Sequence, residues 1–127
     1  MKLNMMGIDI ATDRQKIYWS EKSIFFTHLI NLVKIKNDIR RFSLSHDEIN
    51  KIKENIVAKV NLLLVDYINS DKKYGRIFKF TFYGQDVIID VDTSLGEVLY
   101  NYFKLHDLLI DALSRSKNIE IKIEAEL

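Results

Sequence analysis

The sequence predicts an α+β fold: one small domain, residues 1–127, with two or three helices packed on a small, mostly antiparallel sheet. Three observations predict it. Residues 76–92 pair with themselves as a hairpin, two amphipathic stretches each begin at a helix-capping motif, and residues 118–126 alternate as a strand. The C-terminal half therefore reads strand, strand, helix, strand.

The hairpin is the firmest of these. In Arg76-Ile-Phe-Lys-Phe-Thr-Phe-Tyr-Gly-Gln-Asp-Val-Ile-Ile-Asp-Val-Asp92, a two-residue type II′ loop at Gly84-Gln85 puts glycine where positive φ is needed. In that register Phe82 faces Val87, Phe80 faces Ile89 and Phe78 faces Val91, all on one buried side. Lys79 meets Asp90 on the other.

The strongest helix follows Ser45, where Ser45-His46-Asp47-Glu48 fits a capping box. Ile49, Ile52, Ile56, Val60, Leu63 and Tyr67 recur at helical spacing, and Val57, Leu64 and Ile68 widen the stripe. A polar loop over 69–75 ends it. A second capping box, Ser94-Leu95-Gly96-Glu97, opens a helix with Leu95, Val98, Leu99, Tyr102, Leu105, Leu109 and Leu113 on its inner face and an Asp111–Arg115 pair at its far end. The tail, with Ile119, Ile121 and Ile123 alternating with charges, is expected to lie parallel to 86–92 through a right-handed crossover, at a sheet edge. The first 44 residues are read as a helix over 23–42, on the spacing of Phe25, Leu29, Leu32, Ile35, Ile39 and Phe42. Two competing readings are a hairpin of 16–19 with 24–26, and a strand over 32–36.

Composition narrows the function classes. With 47% hydrophobic and 29% charged residues the chain belongs with folded proteins rather than disordered ones. No apolar run approaches the roughly 18 residues a membrane helix needs, so no membrane partner is expected. No secretory leader pattern is seen at the N-terminus. The absence of cysteine excludes disulfides and thiolate chemistry and fits a cytoplasmic location. A net charge of +1 excludes strong whole-molecule steering toward nucleic acid, although charge is graded from +4 over residues 1–45, through zero over 46–75, to −3 over 76–127.

Asp90-Val91-Asp92-Thr93-Ser94-Leu95, following Val87-Ile88-Ile89, resembles the first motif of haloacid-dehalogenase-type phosphohydrolases. There a strand ends in Asp-x-Asp-x-Thr, one aspartate attacks phosphate and the other works as acid and base. The resemblance covers six residues, lacks the glycine-threonine after the second aspartate, and falls on a strand already assigned to a tight hairpin. Read from the residues alone, Asp90 and Asp92 are solvent-facing carboxylates beside a helix N-terminus, where negative charge is favourable. An echo of a calcium loop in the same segment fails because Asn101 stands where a bidentate glutamate is required. His28, His46 and His106 share no helix turn, which argues against a metal pattern, and no cofactor is expected.

Two basic groups remain. Lys34, Lys36, Arg40 and Arg41 cluster beside Phe42, and Lys72, Lys73 and Arg76 lead into Lys79 beside Tyr74. With interleaved aromatics they suit a phosphate backbone or a small anion, and Asp90 and Asp92, or Arg40 and Arg41, suit contact with a small charged molecule. The functional expectation is a small non-enzymatic binding protein, an inhibitor, adaptor or regulator of another protein. It is expected to act as a homo-oligomer, through the edge strand 118–126. The alternatives are nucleic-acid binding through 34–41 and 72–79, and binding of a nucleotide-like charged ligand at a subunit interface.

Overall fold

A computed structural model describes residues 6–33, 41–115 and 119–125 of the chain. The described elements run β1 (Met6–Ala11), β2 (Lys16–Ser20), α1 (Phe26–Val33), β3 (Arg41–Leu44), α2 (His46–Ile68), β4 (Ile77–Phe82), β5 (Gln85–Asp90), α3 (Ser94–Ser114) and β6 (Ile119–Ala125). The fold is α+β, as predicted, but its strands form two antiparallel sheets instead of one. β2-β1-β6-β3 make a four-stranded sheet, and β4-β5 stand alone as a two-stranded one.

The placement of β6 corrects the sequence reading twice. It pairs antiparallel with β1 on one side and β3 on the other, so it is neither parallel to 86–92 nor an edge strand. The reason is long-range register. Ile8 and Ile10 stand opposite Ile123 and Ile121, and Phe42 and Leu44 opposite Ile121 and Ile119, so apolar positions coincide on both flanks. With both its neighbours in place, β6 offers no free edge, and self-association through 118–126 loses its basis.

The N-terminal third divides differently from the predicted helix over 23–42. Only Phe26–Val33 is helical, Arg41–Leu44 is a strand, and residues 34–40 lie outside the described set. β2 does form at Lys16–Ser20, but its partner is β1, with Ile8 opposite Trp19 and Ile10 opposite Ile17. A turn joins them in which the Thr12 hydroxyl accepts from the N–H groups of Arg14 and Gln15 at 3.2 Å each.

α2 keeps its predicted start. Ser45 Oγ accepts from Glu48 N at 3.2 Å, and Glu48 Oε1 accepts from Ser45 N at 3.0 Å. Its buried stripe is Ile49, Ile52, Ile56, Val60 and Tyr67; Ile68, expected to widen it, is exposed. α3 is capped by Thr93, one residue earlier than the predicted Ser94. The Thr93 hydroxyl accepts from Gly96 N at 3.0 Å and donates to Asp90 O at 2.9 Å, a two-sided bond that Ser94 is one position too late to make. α3 is buried almost all round, from Gly96 and Val98 through Phe103 and Leu108 to Ala112, which marks it as the central element. Trp19 Nε1 donates to Asn101 Oδ1 at 2.8 Å, tying β2 to its middle. Arg115 grips its own Asp111 at 2.5 Å, as predicted, and also Asp13 in the β1–β2 turn.

The hairpin forms, with its loop one residue earlier than predicted. Phe82 pairs with Gln85, Phe80 with Val87, Phe78 with Ile89 and Lys79 with Ile88. Tyr83 and Gly84 both have positive φ, 50° and 80°, the backbone of a type I′ turn. Each residue's partner moves by two positions, an even number, so the predicted faces survive the slip. The rings are less hidden than predicted. Phe82 is buried against Phe103 and His106, Phe80 is half-buried between Tyr100 and Phe103, and Phe78 is 41% exposed beside Tyr100.

Candidate functional site

The carboxylates singled out in the sequence are engaged in contacts within the fold. Asp90 is 1% exposed, not solvent-facing. Its Oδ2 accepts from the backbone N–H groups of Lys73 (2.7 Å) and Tyr74 (2.6 Å), and its Oδ1 from Asp92 N at 3.1 Å. Its own N–H donates to the Tyr67 hydroxyl at 2.6 Å, and Gly96 lets α3 approach its carbonyl, where a Cβ would stand 1.8 Å from the oxygen. Asp90 therefore clamps the 69–76 loop, the end of α2 and the start of α3 together. Asp92 pairs with Arg76 at 2.9 Å. Burial pushes the Asp90 carboxyl up, but the N–H donors of Tyr74, Asp92 and Lys73, with Lys72 nearby, outweigh it and hold the group below its usual 3.8.

A carboxyl lowered on folding stabilises the protein above its unfolded value, and that contribution fades as pH falls through the folded one. Asp90→Asn removes it and turns an amide toward two N–H donors. The expected result is a Tm at pH 7 lower by roughly 5–10 °C, with a flatter decline below about pH 4, both read by thermal melts between neutral and acid pH. A variant that matches the wild type in both respects would show that the clamp does not hold the loop.

The second basic group is largely neutralised. Lys72 Nζ donates to the carbonyls of Tyr67 (2.5 Å) and Ser70 (2.7 Å) at the end of α2, Arg76 holds Asp92, and Lys79 sits 3.8 Å from Asp86. Lys73 is exposed. Of the first group, Lys34, Lys36 and Arg40 lie outside the described residues, and Arg41 is placed by its backbone in β3, opposite Lys122. The structure thus brings Lys72, Lys73, Arg76, Asp90 and Asp92 to one junction without making an open charged surface of them.

Two other features stand out. The first is a concentration of exposed apolar side chains on the second half of α2 and on both faces of the hairpin. Of the eleven large exposed apolar side chains among the described residues, eight fall within residues 62–88: Leu62, Val65, Ile68, Tyr74, Ile77, Phe78, Tyr83 and Ile88. The Tyr67–Asp90 bond fixes the open end of the hairpin at the end of α2. The hairpin tip meets the middle of α2 across a groove of about 300 Å³ walled by Val57, Leu64, Phe82 and Val87 and edged by Asn61 and Gln85. Tyr83 reaches His106 Nε2 at 3.2 Å, which pins the turn to α3. Burial lowers the His106 pKa, with Lys53 adding to the effect and Asp107 opposing it, so the imidazole under the turn is neutral at pH 7.

The second feature is a cleft of about 360 Å³ where α1, α2 and α3 converge. Thr27, His28, Asn31 and Leu32 come from α1, Asn55 and Lys59 from α2, and Tyr102 from α3. His28 Nδ1 and the Tyr102 hydroxyl are hydrogen-bonded at 3.0 Å. Phe25, wholly buried, packs edge-on to Tyr102 and parallel to the His28 ring, fixing both. Burial pushes the Tyr102 phenol up to about 12, so it keeps its proton. Burial, and then the Lys59 charge, lower the His28 pKa below 6.5, so the imidazole is neutral at pH 7. The sequence reading missed this cleft. Its signal is faint: i,i+4 pairs, Thr27–Asn31 and Asn55–Lys59, on two separate helices.

Among the described residues no group of three or more histidines, cysteines or carboxylates is arranged to hold a metal, and no helix is long and apolar enough to cross a membrane. The chain matches no protein-family model, no curated protein and no solved structure.

Proposed function

We propose that this is a protein-binding domain, regulatory or inhibitory in its action, whose groove between α2 and the β4–β5 hairpin receives an apolar helical segment of a partner protein. The observation that carries this reading is the concentration of large exposed apolar side chains over 62–88, beside a groove with apolar walls and a polar margin. Isolated exposed apolar residues are ordinary, but so many in one helix half and the adjoining ribbon mark that region as a place for a partner. The groove's size suits one or two aliphatic or aromatic side chains from a docked helix, and Asn61 and Gln85 are placed to set its register. A cysteine-free chain fits a cytoplasmic setting for such a partner.

Val65 is the residue to test, because it is 61% exposed and its loss costs the core nothing. Val65→Asp is expected to leave the circular dichroism spectrum and Tm unchanged while weakening the partner's binding by about a hundredfold. The partner is one recovered stoichiometrically from the native host, and its complex should slow hydrogen exchange over residues 57–68 and 77–88. A particle of twice the chain mass that Val65→Asp splits would make the occupant a second copy and overturn the separate partner. Equal binding by wild type and variant would overturn the reading entirely.

A further inference from the structure

We propose that the cleft between α1, α2 and α3 is a binding site for a small oxyanion, a carboxylate or phosphate group carried by a metabolite, with Lys59 as its counter-charge. This site lies apart from the groove and does not depend on what occupies it. Three observations support it. First, the seven lining residues include one cation and no carboxylate, so the cleft has one sign of charge. Second, Lys59 forms no ion pair among the described residues, so its charge is not already spent on a neighbouring carboxylate. Third, the remaining polar walls supply neutral donors suited to the other oxygens of an anion: the amides of Asn31 and Asn55, the Thr27 hydroxyl and the Tyr102–His28 pair. A volume of about 360 Å³ falls in the range of small-molecule sites and holds far more than a single oxyanion, which leaves space for the rest of a metabolite against Leu32.

The electrostatics agree. Burial first, and then the Lys59 charge, lower the His28 pKa, in keeping with an ammonium at the mouth of the cleft. An anion seated beside it offsets that field and raises the His28 pKa toward its ordinary value. The charged and titratable groups that face His28 in the cleft are Lys59 from α2 and Tyr102 from α3, and Tyr102 stays protonated throughout. Binding therefore takes up a fraction of a proton and tightens as pH falls through the His28 titration.

The test uses the whole chain and three probes, inorganic phosphate, glycerol phosphate and succinate, each at up to about 50 mM against a chloride background of matched ionic strength. Backbone amide shifts by NMR are expected to move at residues 27–32, 55–59 and 102, and the Tm to rise with probe concentration. Lys59→Gln, at an exposed position, should fold normally and bind about tenfold more weakly, whereas Lys51→Gln, on the same helix outside the cleft, should bind like the wild type. Response to both phosphates alone assigns a phosphoryl group, response to succinate alone assigns a carboxylate, and response to all three assigns the shared oxyanion chemistry. Shifts scattered over surface lysines, equal binding by Lys59→Gln, or no response to any probe would overturn the proposal.

Discussion

Phe25→Ala is expected to destabilise the protein by about 3–5 kcal/mol, a large part of the 5–15 kcal/mol that typically holds a domain together. Phe25 has no exposed surface, and its ring packs where β2, α1 and α3 come together. It lies 5.5 Å from Trp19 of β2, 4.8 Å edge-on from Tyr102 of α3, and parallel to His28 of α1. The methyl left behind cannot reach any of these partners, and three rings of fixed geometry cannot all close on the void. Urea titration gives the loss directly. A second readout separates local from global damage: with the ring gone, water reaches the His28–Tyr102 pair, and the His28 titration seen by NMR should move up toward 6.5. A loss below about 1 kcal/mol would mean that the three helices and the sheet are held by other contacts.

Ile121→Pro is expected to prevent folding of the four-stranded sheet. Residue 121 stands opposite Ile10 on one flank and Phe42 on the other, so its N–H belongs to the ladder whichever neighbour it serves. Proline removes that donor and its ring crowds the adjoining strand, at a cost of roughly 3 kcal/mol or more. Far-ultraviolet circular dichroism and proteolysis should report a chain that has lost its sheet while α2 retains its capped first turn. The contrast with the sequence reading makes this decisive. A strand at the edge of the hairpin sheet tolerates proline at every second position, whereas this one does not tolerate it at 121. Native-like stability of Ile121→Pro would contradict the β2-β1-β6-β3 order.

What the sequence disclosed was local. The α2 start was legible because a capping box is complete within four residues, Ser45 to Glu48, and both of its bonds form. The hairpin was legible in its faces and misjudged in its loop. Glycine 84 fits either loop, and the true one also requires Tyr83 at φ 50°, a conformation that a bulky residue adopts only under outside constraint. That constraint is tertiary: the Tyr83 ring packs edge-on against Phe82 and His106, and its hydroxyl bonds the imidazole. The membership of β6 was hidden for a related reason. Its alternation identifies a strand but not its neighbours, and Met6 opposite Ala125 is a pairing between the two ends of the described chain. Asp90 was recognised as a noteworthy residue and misread in role, since its donors come from a loop whose conformation no spacing rule supplies. The cleft was the least legible feature, because no one helix carries more than four of its seven residues.

The interior position of β6 also governs how the polypeptide matures on the ribosome. β1 and β3 are made early and must wait, with unsatisfied main-chain groups facing each other across a vacant slot, until residues 119–125 emerge to fill it. Closure of that slot is a late, high-separation step, so the nascent chain passes through a stage in which foreign strands compete for the same berth. The helical pair α2–α3 and the hairpin are complete before then and shelter the apolar side of the unfinished sheet. A released chain that stops just short of residue 119 would therefore show a structured helical half and an adhesive, protease-sensitive N-terminal one.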